Sequence, residues 1–374
     1  MSKAAELANL IGNINAGGGG VNRNVIINGA MNVAQRATSA TGLGATDGYY
    51  TCDRWNFNGD SSNAGRFTMT QDSSAPSGFA NSLKLACTTA DTSTAASERL
   101  QIEHKFEGQN LQTFAKGTSD AKPFVLSFYV KANASATYAA ELFDTANSRQ
   151  MTQLFNVTTD WTRVELTYPA DTTGTFADSN AEAMHLIFFL HAGSTYTGGT
   201  LNSSSFASAV NNQRAAGISS FFDSTDRTFF ITGVQLEVGQ NPTEFEHEPY
   251  ERTLLKCQRY FYAVHQDYGP SSSNYSFMGS GIYYSSTNIN AAVTFPVAMR
   301  AIPTATVNFG SSGNQGFISY TNGSLDYIGS SASINMPSIY GTFIQFGDGS
   351  GTGGHSGMVA TQYDDQSFNF DAEL

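Results

Sequence analysis

Hydrophobic and polar residues alternate with a period of two through most of the chain from about Ala45 to Glu246. Such alternation is typical of β-strands that bury one face. Roughly ten runs of this kind predict a two-sheet sandwich in which each sheet keeps one face wet. A representative run places Leu100, Ile102, His104 and Phe106 on one side and Arg99, Gln101, Glu103 and Lys105 on the other.

One long connection interrupts this order between His191 and Arg227. It is rich in Ser and Gly, and the pattern predicts a short helical turn around Phe206 to Val210. Connections of this length in compact domains are usually functional or disordered.

A short helix with Pro249 in its first turn is predicted up to Gln258, and alternation then resumes to the end of the chain. The prediction is therefore an all-β protein: a β-sandwich, a smaller C-terminal β-sandwich domain and a short N-terminal helix. The expected domains are residues 1–20 (anchoring helix and glycine joint), 21–248 (the sandwich), 249–258 (helical connector) and 259–374 (C-terminal β domain).

The N-terminal helix is expected over residues 2–15, before the joint Gly17 to Gly20. Two heptads are too short to be stable alone, and isoleucine at both core positions favours three or four parallel strands. We therefore expect these positions to form the seam of a homotrimer; the alternative is a helix docked on its own domain. The a and d positions are Ala4, Leu7, Ile11 and Ile14.

Charge is scarce: 13% of residues are charged, the net charge is -12, and neither Lys nor Arg occurs after Arg300. This balance argues against nucleic acid and anionic membranes as partners, since both require cations. No signal peptide and no membrane-spanning segment are expected. The three cysteines, Cys52, Cys87 and Cys257, are too few and too far apart for a disulfide framework and are expected to be buried thiols.

The six histidines show no metal-binding spacing, and no nucleophile motif is present, so we expect no enzyme activity and no cofactor. His104 lies on the inward side of its strand and is expected to be a core residue. Counting alone leaves a pair of carboxylates of the glycosidase type open. Asp348, Asp364 and Asp365 could bind Ca²⁺, although solvated turn acids are the favoured interpretation.

Tyrosine rings are frequent after the connector, and a ring can stack on the apolar face of a sugar while its hydroxyl forms a hydrogen bond. Strand tyrosines are also common packing residues, so packing is the competing interpretation. The candidate ligand-binding residues are Tyr268, Tyr275, Tyr283, Tyr284 and His355.

Three stretches of the sequence resemble the receptor-binding and tail-fibre proteins of tailed bacteriophages. They are NRNVIINGAMNVAQR at 22–36 with CDRWNF at 52–57, GVQLEVGQNPTEFEHEPYERTLLKCQRYF at 233–261, and FPVAMRAIPTATV at 295–307. The resemblance implies a jelly-roll domain similar to carbohydrate-binding modules, followed by a distal domain. It implies no catalytic residues.

Together these features predict a non-enzymatic virion protein, assembled in the host cytoplasm. It would be a trimeric tail fibre that joins another tail or virion protein through its N-terminus and binds a host surface glycan or other receptor. The alternatives are a capsid or tail decoration (cement) protein and a polysaccharide-degrading tail spike; a spike usually shows a repeat period, which is not evident here.

Overall fold

The computed structural model describes residues 22–265, 276–309, 317–321, 323–328, 331–347, 349–361 and 367–374, together with residues 3, 4, 7, 8 and 11. The chain divides into two compact units. Unit 1 comprises Met1–Thr253 with Leu374, and unit 2 comprises Leu254–Glu373. Strands dominate both units, which confirms the predicted all-β class.

Unit 1 contains thirteen described strands, helical residues at positions 3, 4, 7, 8 and 11, and one short α-helix after β11, α1 (Ser194–Thr197). Three short 3-10 helices at Gly108–Phe114, Asn211–Gln213 and Phe221–Asp223 lie in the connections. The strands are β1 (Ser39–Leu43), β2 (Gly48–Tyr49), β3 (Asn56–Asn58), β4 (Arg66–Asp72), β5 (Ser82–Thr89), β6 (Arg99–Glu107), β7 (Phe124–Ala132), β8 (Ala136–Asp144), β9 (Arg149–Val157), β10 (Thr162–Tyr168), β11 (Glu182–Ala192), β12 (Ala207–Ser208) and β13 (Thr228–Val238).

These strands form two antiparallel sheets that face each other as a jelly-roll sandwich. The order is β1-β4-β5-β13-β7-β10 in the six-stranded sheet and β12-β9-β8-β11-β6-β3-β2 in the seven-stranded sheet. One continuous apolar core lies between them, rich in phenylalanine and centred on fully buried rings such as Trp55, Phe128 and Phe188. The predicted inward row of β6 contributes Leu100, Ile102 and Phe106 to this core.

The opening segment, residues 22–36, closes one end of the core through its own backbone and side chains. Asn28 has a φ of 60° and donates from Nδ2 to the carbonyls of Val33 and Asp53, while its Oδ1 accepts from the N–H of Val33. Its carbonyl accepts the indole N–H of Trp55 at 3.1 Å. A Cβ at Gly29 would lie 2.1 Å from the carbonyl oxygen of Val234, so only glycine fits this approach.

The end of unit 1 returns to the same place. Asn24 Oδ1 accepts from the N–H of Leu236 on β13, and the two oxygens of Glu246 accept from the N–H groups of Asn22 and Asn24 at 2.6 and 2.9 Å. Gln235 Oε1 accepts from the N–H of Glu246. The first two sequence stretches that resemble phage fibre proteins therefore bind each other and close the sandwich.

The seven-stranded sheet differs from the prediction of one wet face per sheet. A second, smaller apolar cluster covers its outer face at Ala139, Ile187, Phe189 and Ala215. Gln101 and Glu103, predicted to face solvent, are both buried. The reason is that the chain after β11 folds back over this face instead of leaving it to water.

The covering segment is the long connection between His191 and Arg227. Arg214 joins it to the sheet through three hydrogen bonds with Glu141: Nε donates to Oε1 at 3.0 Å and to Oε2 at 3.1 Å, and Nη2 donates to Oε2 at 2.7 Å. The predicted helical turn around Phe206 to Val210 is wrong, because Ala207–Ser208 pairs with β9 as an edge strand. The segment is therefore an ordered layer over the sheet.

Unit 2 is a second β-sandwich with its own apolar core between a three-stranded and a seven-stranded sheet. The orders are β14-β23-β17 and β19-β18-β22-β15-β16-β21-β20, and the smaller sandwich predicted for the C-terminal domain is confirmed. The helix α2 (Tyr250–Gln258) contains the division between the units. The strands are β14 (Phe261–His265), β15 (Ser276–Tyr283), β16 (Ile289–Thr294), β17 (Thr304–Asn308), β18 (Phe317–Thr321), β19 (Ser324–Ile328), β20 (Ala332–Asn335), β21 (Gly341–Phe346), β22 (Ser356–Thr361) and β23 (Ser367–Asp371).

A buried lysine organises the loops at one end of unit 1. The Lys116 ammonium is fully buried and lies 2.5 Å from Asp144 and 3.1 Å from Asp171. It also donates to the carbonyls of Thr173 and Gly174 at 2.8 and 2.9 Å. The charge is thus paired and hydrogen-bonded, which is the condition for burying an ammonium group.

We expect Lys116→Met to lower the free energy of unfolding of unit 1 by about 3–5 kcal/mol, because it leaves the buried Asp144 carboxylate without its cation. Lys84→Met is the matched control. Its pair with Asp72 is partly exposed, so its loss costs under about 1 kcal/mol. Both tryptophans, Trp55 and Trp161, lie in unit 1, so urea unfolding followed by their fluorescence reports on this unit. Equal losses in the two variants would contradict the role given to Lys116.

Candidate recognition surface

The outer face of the seven-stranded sheet in unit 2 carries exposed or half-buried apolar side chains with no charge among them. We call this surface, defined by Phe277, Tyr320, Leu325, Phe343 and Met358, the outer sheet face. Register places Leu325, Tyr320 and Met358 side by side across β19, β18 and β22. Six of the seven strands contain no Lys, Arg, Asp or Glu at all, and the acidic residue of β19, Asp326, bonds the buried Tyr283.

These side chains are unusually accessible for their type. Phe277 is 65% exposed, Tyr320 43% and Phe343 39%. The small residues Ser280 and Ala292 lie between them on β15 and β16 and are exposed as well. A surface of aromatic rings separated by small residues leaves ring faces open to a partner, and exposed apolar patches of this kind mark interaction sites.

The sequence contains a signal for this face in β21. Ile344 and Phe346 on β21 are buried, so Phe343 must project to the opposite side of the sheet. An aromatic residue that points away from the core is unexpected on the solvent-exposed face of a sheet. None of the five residues that define the outer sheet face was among the predicted ligand-binding residues.

Two of the predicted ligand-binding residues lie close together at one end of this sheet. The N–H of Tyr283 donates to the carbonyl of His355 at 2.9 Å, which places Tyr284 and His355 on adjacent segments. Tyr284 is 75% exposed and His355 is exposed. Their placement keeps both available as contact residues.

Tyr283 is different, because its ring lies in the core of unit 2 and is 1% exposed. Its hydroxyl donates to Asp326 at 3.2 Å and lies 2.9 Å from Ser319 Oγ. Burial raises the pKa of this phenol. A Cβ at Gly351 would lie 2.5 Å from the ring, so the glycine-rich loop packs directly on it. Tyr283 is a packing residue and offers no face to a ligand, which corrects its prediction as a contact residue.

Several predicted positions fall outside the described residues: Tyr268, Tyr275, Ile14, Asp348, Asp364 and Asp365. In the N-terminal segment Ala4, Leu7 and Ile11 are helical and exposed, with Leu7 at 56% and Ile11 at 49%. Their association with other chains stays a prediction.

Within the described part of the chain, no group of three or more His, Cys, Asp or Glu could hold a metal ion. No helix in that part is long and apolar enough to cross a bilayer. The three cysteines are buried and unpaired with one another, as the sequence predicts.

Glu103 and Glu141 are the pair of acids that a glycosidase interpretation would single out in unit 1. They share the outer face of the seven-stranded sheet, with Ile187 between them on β11. Glu141 is fully buried and engaged by Arg214, whose guanidinium also lies 4.6 Å from the Phe143 ring centre. Burial raises the pKa of Glu103. The arrangement fixes the covering segment to the sheet and gives no open cleft between the two acids.

His104 is a core residue, as predicted, and only one of its ring nitrogens is hydrogen-bonded. The ring is 1% exposed, Nε2 accepts from the N–H of Ile27 at 3.1 Å, and Nδ1 has no partner among the described residues. Trp55 and Phe106 pack against the ring. Burial, together with the nearby Arg54 guanidinium, holds the pKa of His104 well below its usual value.

This burial predicts a defined pH dependence of stability. Because the folded pKa lies below the unfolded value of 6.5, only the unfolded chain gains a proton as the pH falls through that value. The stability contribution is therefore complete above pH 6.5 and is lost below it. Between pH 7.5 and 5.5 we expect the wild type to lose about 1.4 kcal/mol more unfolding free energy than His104→Gln. Urea titrations at the two pH values measure this difference, and parallel losses would rule out His104 as the source.

The chain resembles known proteins only through solved structures. No family model and no curated protein matches it. One structure, reported as "CBM4 structure and function", is 13% identical over 56% of this chain and 97% of its own, with a TM-score of 0.30. TmCBM61 in complex with β-1,4-galactotriose is 9% identical over 58% of this chain and 99% of its own, with a TM-score of 0.31.

A third similar structure is the enzymatically active domain of tailspike protein 4 from bacteriophage CBA120. It is 12% identical, with a TM-score of 0.29, and the match covers 58% of this chain but 21% of that one. At these identities the likeness is confined to the fold, and it assigns no site or activity to this chain.

Proposed function

We propose that this chain is a non-enzymatic tail-fibre protein of a bacteriophage, and that it binds a neutral glycan on the host cell surface. The outer sheet face of unit 2 is the recognition surface in this proposal, with Tyr284 and His355 at its end. The observation that carries the proposal is the combination of exposed aromatic rings with a sheet in which six of the seven strands contain no charged residue.

The chemistry of this face suits a sugar better than a charged ligand. The rings of Tyr320 and Phe343 can stack on the apolar faces of sugar rings. Asn290 and Gln345 lie on the same side of the sheet, and their amides are hydrogen-bonded to each other at 3.0 Å. A pair held in this way presents its remaining donor and acceptor atoms in a fixed direction, which reduces the entropy lost on binding.

The proposed fibre is a homotrimer. Three copies on one fibre raise the strength of weak glycan contacts through effective concentration, without any new contact in each copy. The exposed helical residues Leu7 and Ile11 provide the apolar positions for a three-stranded seam. The same N-terminal segment is the proposed attachment to another tail or virion protein.

Removing rings from the outer sheet face should weaken adsorption to host cells. We expect the double variant Tyr320→Ala and Phe343→Ala to reduce cell binding at least tenfold, because each lost stacking contact costs about 0.5–1.5 kcal/mol and the loss is repeated in every copy. Adsorption of labelled protein to host cells measures the effect. Since no charges take part, raising the salt to 0.5 M, where the screening length is roughly 4 Å, should leave wild-type adsorption unchanged.

Ile302→Ala is the matched control for this experiment, because Ile302 is 61% exposed in unit 2 but lies outside the seven-stranded sheet. It should adsorb like the wild type. Full adsorption by the double variant would contradict the assignment to this face. New reducing ends after incubation with host polysaccharide would contradict the non-enzymatic part and favour a tail spike.

The trimer has its own test. Light scattering of the purified chain at micromolar concentration should give a mass of three chains, and the double variant Leu7→Asp and Ile11→Asp should shift it to monomer by placing like charges in the seam. A monomeric wild type would refute the trimer. A trimer that persists in the variant would move the contact to another surface.

A further inference from the structure

The edge of the unit 1 sandwich contains a second candidate binding site. A groove of about 470 Å³ opens between β9 of one sheet and the end of β10 of the other. The groove is shallow and open to solvent, so a ligand would lie along it and not inside an enclosed pocket. The groove belongs to unit 1, whereas the outer sheet face belongs to unit 2.

The groove is polar and carries no charge. None of its eight lining residues is ionisable. Its apolar contacts come from residues such as Met151 and Pro169. Its polar groups are the amides of Gln153 and Gln240 and the hydroxyls of three residues, Thr167, Ser203 and Ser204.

Part of this polar lining is open to a ligand. Gln153 donates from Nε2 to the carbonyl of Thr167 at 2.7 Å, which fixes the amide and leaves its Oε1 as an acceptor. Among the described residues, the hydroxyls of Ser203 and Ser204 have no hydrogen-bond partner, and both residues are exposed. Each hydroxyl can donate one hydrogen bond and accept others.

The two serines are held on both sides by bonds to β9. Asn202 donates from Nδ2 to the carbonyl of Gln150, and its own carbonyl accepts the N–H of Thr152, both at 2.8 Å. On the other side, Arg149 donates to the carbonyl of Phe206 at 2.8 Å. The backbone on either side of the two serines is therefore held before any ligand arrives, and this lowers the ordering cost of binding.

We propose that this groove binds a short segment of a neutral saccharide. Phosphate, sulfate and carboxylate ligands require cationic partners, and cationic ligands require carboxylates; the groove provides neither. Neutral hydroxyl-rich ligands pair with amides and hydroxyls, while their C–H faces can contact Met151 and Pro169. The proposal extends the glycan-binding function proposed for the chain by adding a second site in unit 1.

The test uses the full-length chain on an array of neutral oligosaccharides, with heparin-derived oligosaccharides as the anionic comparison. Ser203→Trp places a large ring in the groove and should weaken binding to the neutral glycan that the wild type binds best at least tenfold. Gln240→Ala, a milder change at an exposed residue, should weaken it about threefold. Ser77→Trp, at an exposed serine of the connection between β4 and β5, is the matched control and should bind like the wild type.

The two proposed sites are distinguished in the same experiment. Loss of binding in Ser203→Trp and Gln240→Ala, with retention in the Tyr320→Ala, Phe343→Ala double variant, supports the groove even if the unit 2 assignment fails. The groove proposal is overturned by unchanged binding in both groove variants, by a preference for heparin oligosaccharides, or by a wild type that binds no neutral glycan on the array.

Discussion

The sandwich of unit 1 depends on the contact between the start and the end of its chain. Residues 22–36 add no strand to either sheet, yet they close the core by hydrogen-bonding to β13 and to Glu246. The contact needs a glycine at position 29, since a Cβ there would collide with the carbonyl of Val234. Trp55 then fills the space beneath this segment and bonds the Asn28 carbonyl. The segments of this unit that resemble phage fibre proteins therefore close the sandwich.

Closure at one end and a covered outer face explain how unit 1 tolerates buried charges. Arg214 and Glu141 are taken out of water together when the segment after β11 folds over the sheet. Lys116 is buried with two aspartates in the same way. Removing either partner of such a pair is strongly destabilising, because it leaves an uncompensated buried charge, even where the intact pair adds little net stability.

Unit 2 follows the opposite plan. Its charged residues are few, its seven-stranded sheet keeps aromatic rings in solvent, and its buried polar contacts are hydroxyls such as Tyr283 and Ser319. An apolar, uncharged face on a chain with a net charge of -12 is a cost to solubility that a binding role accounts for. Both units are β-sandwiches, and they differ in the chemistry of their surfaces.

The sequence by itself determined the all-β class, the sandwich, the inward row of β6 and the core position of His104, because a period of two records which side of each strand meets the core. The small number and wide spacing of the cysteines determined the buried thiols. It did not determine what covers the other side. Whether Gln101 and Glu103 face water or protein depends on a segment about ninety residues away, and strand periodicity contains no information about that packing. Tyr283 and Tyr284 are adjacent in sequence, and the pattern does not say which ring is buried. Only the fold shows that Tyr283 is a core ring and Tyr284 is an exposed ring.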